Sequence, residues 1–270
     1  MNTINTVFFI VVLTLCQNSF AEQKTYTFGV VPQQSASTLA KSWIPLLSQI
    51  EKESGINLRF KTDSSIPVFE EKLARGEYDL AYMNPYHYVR FHEESHYEAI
   101  AKAKDKRIKG IIVVPKNSQI KTLEDLNGST MAFPAPAAFA ASILPRAHLH
   151  RLNINITPEY VNSHDSVYAN VALGRFPAGG GVYRTFENTP DKYRNKLKVL
   201  WTTKGYTPHA FASLNTINVE DLKKIRQAMI NLEQSEEGRK ILNTLKLNGI
   251  ERAYDKDWDD IRGLNINLLQ

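Results

Sequence analysis

The run Tyr78-Asp79-Leu80-Ala81-Tyr82-Met83-Asn84-Pro85-Tyr86 constrains this chain more than any other. It reads as a strand that stops at Asn84-Pro85 and turns into a helix. Proline offers no N–H to a sheet ladder, so the extended run ends there. A short strand and helix, residues 56–76, precede it, and a second extended run, 98–103, follows. A strand set in that order belongs to a parallel sheet. Tyr82, Met83 and Asn84 then stand at its carboxyl end, where ligands of open α/β sheets sit.

Strand and helix periods alternate along the rest of the chain. Tyr26, Phe28 and Val30 fall on one face of an extended segment, as do Ile56, Leu58 and Phe60. Between them Leu39, Trp43, Leu46, Leu47 and Ile50 recur at helix spacing, with Pro45 predicting a kink or a late start. A helix over 67–74 is closed by Gly76. A second block begins with the apolar run 111–115. It continues through a capped turn at 122–125, a strand over 130–133 and an alanine-rich helix over 138–152 that Pro145 interrupts. A strand over 159–161, a helix over 163–173 and strands over 178–182 and 198–202 complete it. Beyond Phe211 the spacing of Leu222, Ile225, Met229 and Leu232 is helical, with Asn218 as N-cap. The pattern predicts an α/β protein of two lobes, each a mostly parallel sheet flanked by helices. Crossovers are expected near 105–110 and 203–208.

The N-terminus fits an export signal. Residues 7–16 are apolar, and Ser19-Phe20-Ala21 suits cleavage after Ala21. No Lys or Arg precedes the apolar run, so an uncleaved anchor and a lipid anchor on Cys16 are the other readings. Cys16 is the one cysteine. Once it is removed, disulfides, thiolate metal sites and cysteine nucleophiles are excluded. The formal net charge is +5, but the basic residues are scattered. The densest stretch, 102–109, also holds Asp105 and reads as a solvated loop rather than a nucleic-acid patch.

Two motifs invite enzymatic readings. His92-Glu93-Glu94-Ser95-His96 matches the zinc-peptidase pattern, which needs both imidazoles on one helix face. A third ligand is missing downstream, and the polar end of a helix explains the residues as well. Gly179-Gly180-Gly181 lacks a dinucleotide spacing and fits a strand end that another backbone passes closely, or exposed N–H groups beside Arg184. Trp43 suits a helix core better than a ligand platform. No nucleophile constellation or phosphate loop stands out, so neither an enzyme nor a bound cofactor or metal is expected.

The ordered set Phe28-Gly29-Val30-Val31-Pro32, Trp43-Ile44-Pro45, Asp79-Leu80-Ala81-Tyr82, Leu123-Glu124-Asp125-Leu126-Asn127-Gly128, Leu144-Pro145-Arg146, Ser163-His164-Asp165-Ser166-Val167 and Ser235-Glu236-Glu237-Gly238 resembles the periplasmic phosphonate/phosphate/phosphite-binding proteins of ABC importers. The resemblance covers essentially the whole chain after the leader. It implies a two-lobed type II periplasmic-binding-protein fold, with lobes at 22–105 plus 209–270 and at 106–208. It also implies a small-molecule ligand, an oxyanion or organic anion, held in the cleft by a monomer that partners an inner-membrane permease. A sensory protein partnering a membrane receptor is the alternative.

Departures from the family pattern shape the expected site. The family opens one helix with a Ser-Thr-Ser run whose hydroxyls hold the anion at a helix N-terminus. Here the stretch is Ala135-Pro136-Ala137-Ala138-Phe139-Ala140-Ala141, with no hydroxyl. Each lost charge-assisted hydrogen bond costs roughly 1.5–3 kcal/mol. Simple phosphonates are therefore expected to bind weakly, and a larger or less charged ligand is favoured. The expected ligand-facing residues are Tyr82, Met83 and Asn84 on one side and Ala138, Phe139, His164, Asp165 and Arg184 on the other. His164, if charged near its ordinary pKa, would favour an anion as pH falls.

Overall fold

A computed structural model describes residues 24–266; the leader and its cleavage site lie outside them. Eleven strands are formed among the described residues: β1 (Thr25–Val30), β2 (Asn57–Lys61), β3 (Leu80–Met83), β4 (Tyr97–Ala103), β5 (Gly110–Pro115), β6 (Thr130–Phe133), β7 (Thr157–Tyr160), β8 (Gly179–Val182), β9 (Leu197–Thr202), β10 (Ala210–Leu214) and β11 (Ile250–Arg252). Helices α1 (Ala36–Ser54), α2 (Ile66–Ala74), α3 (Pro85–Ser95), α4 (Leu144–Arg151), α5 (His164–Ala172), α6 (Tyr183–Glu187), α7 (Asp191–Arg194), α8 (Val219–Asn231), α9 (Glu236–Thr244) and α10 (Asp259–Arg262) cover them. The strands form two sheets, in the orders β11-β4-β10-β3-β1-β2 and β7-β6-β8-β5-β9. The chain passes between the sheets twice, after β4 and after β9.

As expected, most strands of each sheet run in one direction, and each sheet also carries strands that run the other way. In the first sheet β2-β1-β3 are parallel, while β10, β4 and β11 pair antiparallel. In the second β7-β6-β8 are parallel, while β5 and β9 pair antiparallel. The cause is the double crossover. The carboxyl ends of the parallel strands face the other lobe. A strand that arrives straight from that lobe starts at those ends and must run the opposite way. β5 and β10 are those strands.

α1 forms because Leu39, Trp43, Leu46, Leu47 and Ile50 make one buried stripe. It runs through Pro45 without ending there. Ser35 caps its start and Gly55, at φ 73°, ends it in the left-handed conformation that glycine adopts without strain. The anticipated Asn218 cap is present, its Oδ1 accepting from the Glu220 and Asp221 amides. The central strand β10 escapes the sequence pattern. Both its faces are buried, so it shows no polar alternation. Its Phe211 completes an aromatic cluster with Phe28, Trp43 and Tyr82, with Tyr82 4.5 Å from Trp43 and 4.9 Å from Phe211 between ring centroids.

The alanine-rich helix is not a plain α-helix. It opens as a π-helical turn, Phe139–Ile143, and continues as α4. Pro145 falls in the first turn of α4, where its missing N–H costs nothing. The opening turn lies directly on the second sheet. A Cβ on Gly110 would stand 1.9 Å from the Ala140 carbonyl oxygen, and one on Gly180 1.9 Å from that of Ala141. The triple-glycine strand therefore serves close backbone approach, and it sets the position of Phe139.

Candidate functional site

The first-sheet wall of the cleft is built where β3 ends. Asn84 caps α3, its Oδ1 accepting from the His87 amide at 2.9 Å. Its Nδ2 reaches across the cleft and donates to the Ala137 carbonyl at 3.2 Å. Tyr82 stacks on His209, with ring centroids 4.9 Å apart and planes at 15°. The Arg184 guanidinium lies 5.9 Å from the Tyr82 ring. Burial raises the Tyr82 pKa, with Arg184 pulling the other way. Met83 is fully buried and lines neither of the cavities described below.

The second-sheet wall is the 135–141 segment and the start of α5. Phe139 is 1% exposed and sits edge-on to Tyr206, 5.5 Å between ring centroids. Only about 10 Å³ remains between the walls, bordered by Gln33, Asn84, Ala138, Phe139, His164 and His209 among others. That is about the room of one water. Where the family pattern carries hydroxyls, Phe139 and the alanines fill the space themselves. Bonds across the cleft hold it shut: His164 N–H donates to the Gln33 carbonyl at 2.8 Å, and Arg184 to the Gln33 side-chain oxygen.

His164 is not the titrating group anticipated. Its Nδ1 lies 3.0 Å from the Thr185 hydroxyl oxygen. Burial, with a smaller push from Arg184, lowers its pKa to about 3. The imidazole is neutral at ordinary pH and brings no positive charge to an anion. His209 is also pushed well below its ordinary value, first by burial and then by Arg184. Its Nε2 is buried without a partner. Asp165 does not border the closed cleft cavity. It accepts from the Ser35 amide at 3.1 Å and the Gln34 side-chain amide at 3.3 Å, tying the two lobes together beside a separate surface groove.

A second cavity of about 190 Å³ opens on the crossover side. It shares Ile108, Val182 and His209 with the closed cleft and adds Tyr82, Arg184, Lys106, Arg107, Lys109 and Lys246. Of the eight anticipated residues, Tyr82 and Arg184 meet here, and Asn84, Ala138, Phe139 and His164 meet in the closed cleft. His209, Lys106, Lys109 and Lys246 were missed. The basic density of 102–109 was a signal for two of them, but its convergence with Lys246 appears only in three dimensions. The His92–His96 motif does not form a metal-binding helix face. His96 ends α3 at φ 60°, and the His92 Nδ1 lies 2.9 Å from the Tyr97 carbonyl oxygen.

Comparison with known proteins matches residues 28–258 to the family model described as "ABC transporter, phosphonate, periplasmic substrate-binding protein". The phosphate-import protein PhnD of Mycolicibacterium smegmatis is 23% identical, over 75% of this chain and 70% of its own. The probable ABC transporter phosphite binding protein PhnD1 of Prochlorococcus marinus is 21% identical, over 92% and 91%. Among solved structures, a binding protein component of an ABC phosphonate transporter from Pseudomonas aeruginosa superposes with a TM-score of 0.83 at 18% identity, covering 90% of this chain and 86% of that one. The Prochlorococcus protein in complex with methylphosphonate gives 0.80 at 19%, covering 90% and 99%. The match spans both sheets and both crossovers, and with it the chain belongs to the family of periplasmic substrate-binding proteins of phosphonate-class ABC transporters, a transport component and not an enzyme.

Proposed function

We propose that this protein is exported through cleavage after Ala21 and works in the periplasm as a monomer. It receives a solute between lobes 22–105 plus 209–270 and 106–208, and presents the closed form to an inner-membrane permease. The observation that carries this is the pair of sheets joined by two crossovers and latched over one cleft, through Asn84 to Ala137 and His164 to Gln33. Opening those few bonds separates the walls without disturbing either sheet, as hinge closure requires.

The ligand differs from a simple tetrahedral oxyanion. Tyr82, Arg184 and His209 offer a ring face, a guanidinium and an imidazole nitrogen, while Ala138-Phe139-Ala140 offers no hydroxyl and little room. Titration calorimetry with phosphate, phosphite and methylphosphonate is expected to show weak or no binding. Sub-micromolar binding of any of them, abolished by Phe139→Trp, would place the anion at the helix start and refute this reading. For any solute that does bind, a fall in radius of gyration by solution scattering checks closure.

A further inference from the structure

The crossover-side cavity lies outside the helix start where the family pattern holds its anion. Four cations on its lining lack an anionic partner among the described residues. Lys106, Lys109 and Lys246 are exposed and take part in no ion pair, and the Arg184 guanidinium donates to an uncharged amide oxygen, that of Gln33. Arg107 differs: it is tied to Asp260 at 2.7 Å and to the Thr207 hydroxyl at 3.2 Å. Glu187 is the single carboxylate on the lining. The cations come from three separate parts of the chain: the first crossover, α6 and the turn after α9. An anion entering the cavity meets all four of these cations on one lining. The floor is of another kind. It is made of the Tyr82 ring, Val182, Pro208 and Leu247, with the buried, unpartnered His209 Nε2 among them. The cavity has room for about six waters.

We infer that this pocket binds an organic anion of at least two negative charges on an apolar, ring-like body. The body lies against Tyr82 and Leu247, the anionic group meets Lys106, Lys109, Lys246 and Arg184, and a ligand oxygen completes the hydrogen bonding of His209. The inference rests on the solute-receptor reading for its purpose but not for its binding chemistry.

Calorimetry with 1-naphthyl phosphate, inorganic phosphate and 1-naphthol on the whole mature protein tests it. Naphthyl phosphate is expected to bind at one site at least about tenfold tighter than inorganic phosphate, with affinity falling as salt rises, and naphthol not to bind. The double variant Lys106→Glu/Lys246→Glu should weaken it by about tenfold or more. Lys41→Glu, an equally exposed cation on α1 away from the pocket, should change it by less than about twofold. No binding of naphthyl phosphate, affinity no better than that of inorganic phosphate, or equal losses in the double variant and Lys41→Glu would each overturn the inference. The two readings fail separately. Lysine-dependent binding that leaves the radius of gyration and uptake through the permease unchanged removes the receptor role and keeps the site. Closure around another solute, with naphthyl phosphate ignored, removes the site and keeps the role.

Discussion

The closed cleft and the crossover-side cavity share Ile108, Val182 and His209, yet their physical character is opposite. The cleft is packed and closed by hydrogen bonds, with Phe139 in the space where the family pattern places hydroxyls. The cavity beside it is open and lined by cations. The difference teaches how one inter-lobe space can divide packing from charge. An apolar helix start adds packing to the lobe interface. Charge, costly to bury, collects where lysines keep their heads in water.

Phe139→Ala is the strongest way to break this contrast. Removing a fully buried ring from the packed cleft is expected to cost about 3–5 kcal/mol. Denaturant unfolding measures it, and a loss under about 1 kcal/mol would mean that the walls stand apart without ligand.

Acid gives the next largest effect. The His164 pKa is about 3 in the folded chain and ordinary, near 6.5, when unfolded. The unfolded state therefore binds the extra proton. Stability from this group is fully present above pH 6.5 and is lost as pH falls toward 3, at about 1.4 kcal/mol per pH unit. His209 acts in the same direction. Thermal unfolding from pH 7 to 5 should show a falling midpoint, and His164→Asn should flatten part of that fall. An unchanged slope in the variant would mean that His164 is already exposed.

Asn84→Ala removes both a helix cap and a bond across the cleft. It is expected to destabilise by about 0.5–2 kcal/mol from the cap alone. The lost latch should also shrink the fall in radius of gyration on solute binding, which a purely local cap defect would not do.

The smallest effect sharpens the contrast from the other side. Lys106→Glu and Lys246→Glu lose no ion pair among the described residues, and each should change stability by less than about 0.5 kcal/mol. A larger stabilisation would show that these cations repel one another more than their exposure suggests.

Much of this molecule follows from sequence spacing. The stripe of α1, the end of β3 at Asn84-Pro85, the Asn218 cap and the order of the two blocks are set by neighbours within a few residues, where side-chain period and turn chemistry act. The ordered motifs also gave the family. β10 was not legible, because a central strand buried on both faces carries no alternation, and β11 spans three residues. The mixed pairing of the sheets depends on the direction from which each crossover arrives. In the site, the missing hydroxyls of Ala138-Phe139-Ala140 were plain. That Phe139 fills their place was decided by Gly110 and Gly180, two distant glycines that let the opening turn of that helix rest on the sheet. His164 looked like a proton-switched cation because residue type gives only the ordinary pKa. Tertiary burial beside Arg184 makes it neutral. Local sequence determined the elements and the lineage of this chain. Only the folded structure decided which distant cations share a pocket and that His164 and His209 are held neutral, because electrostatics and desolvation depend on distance through space rather than along the chain.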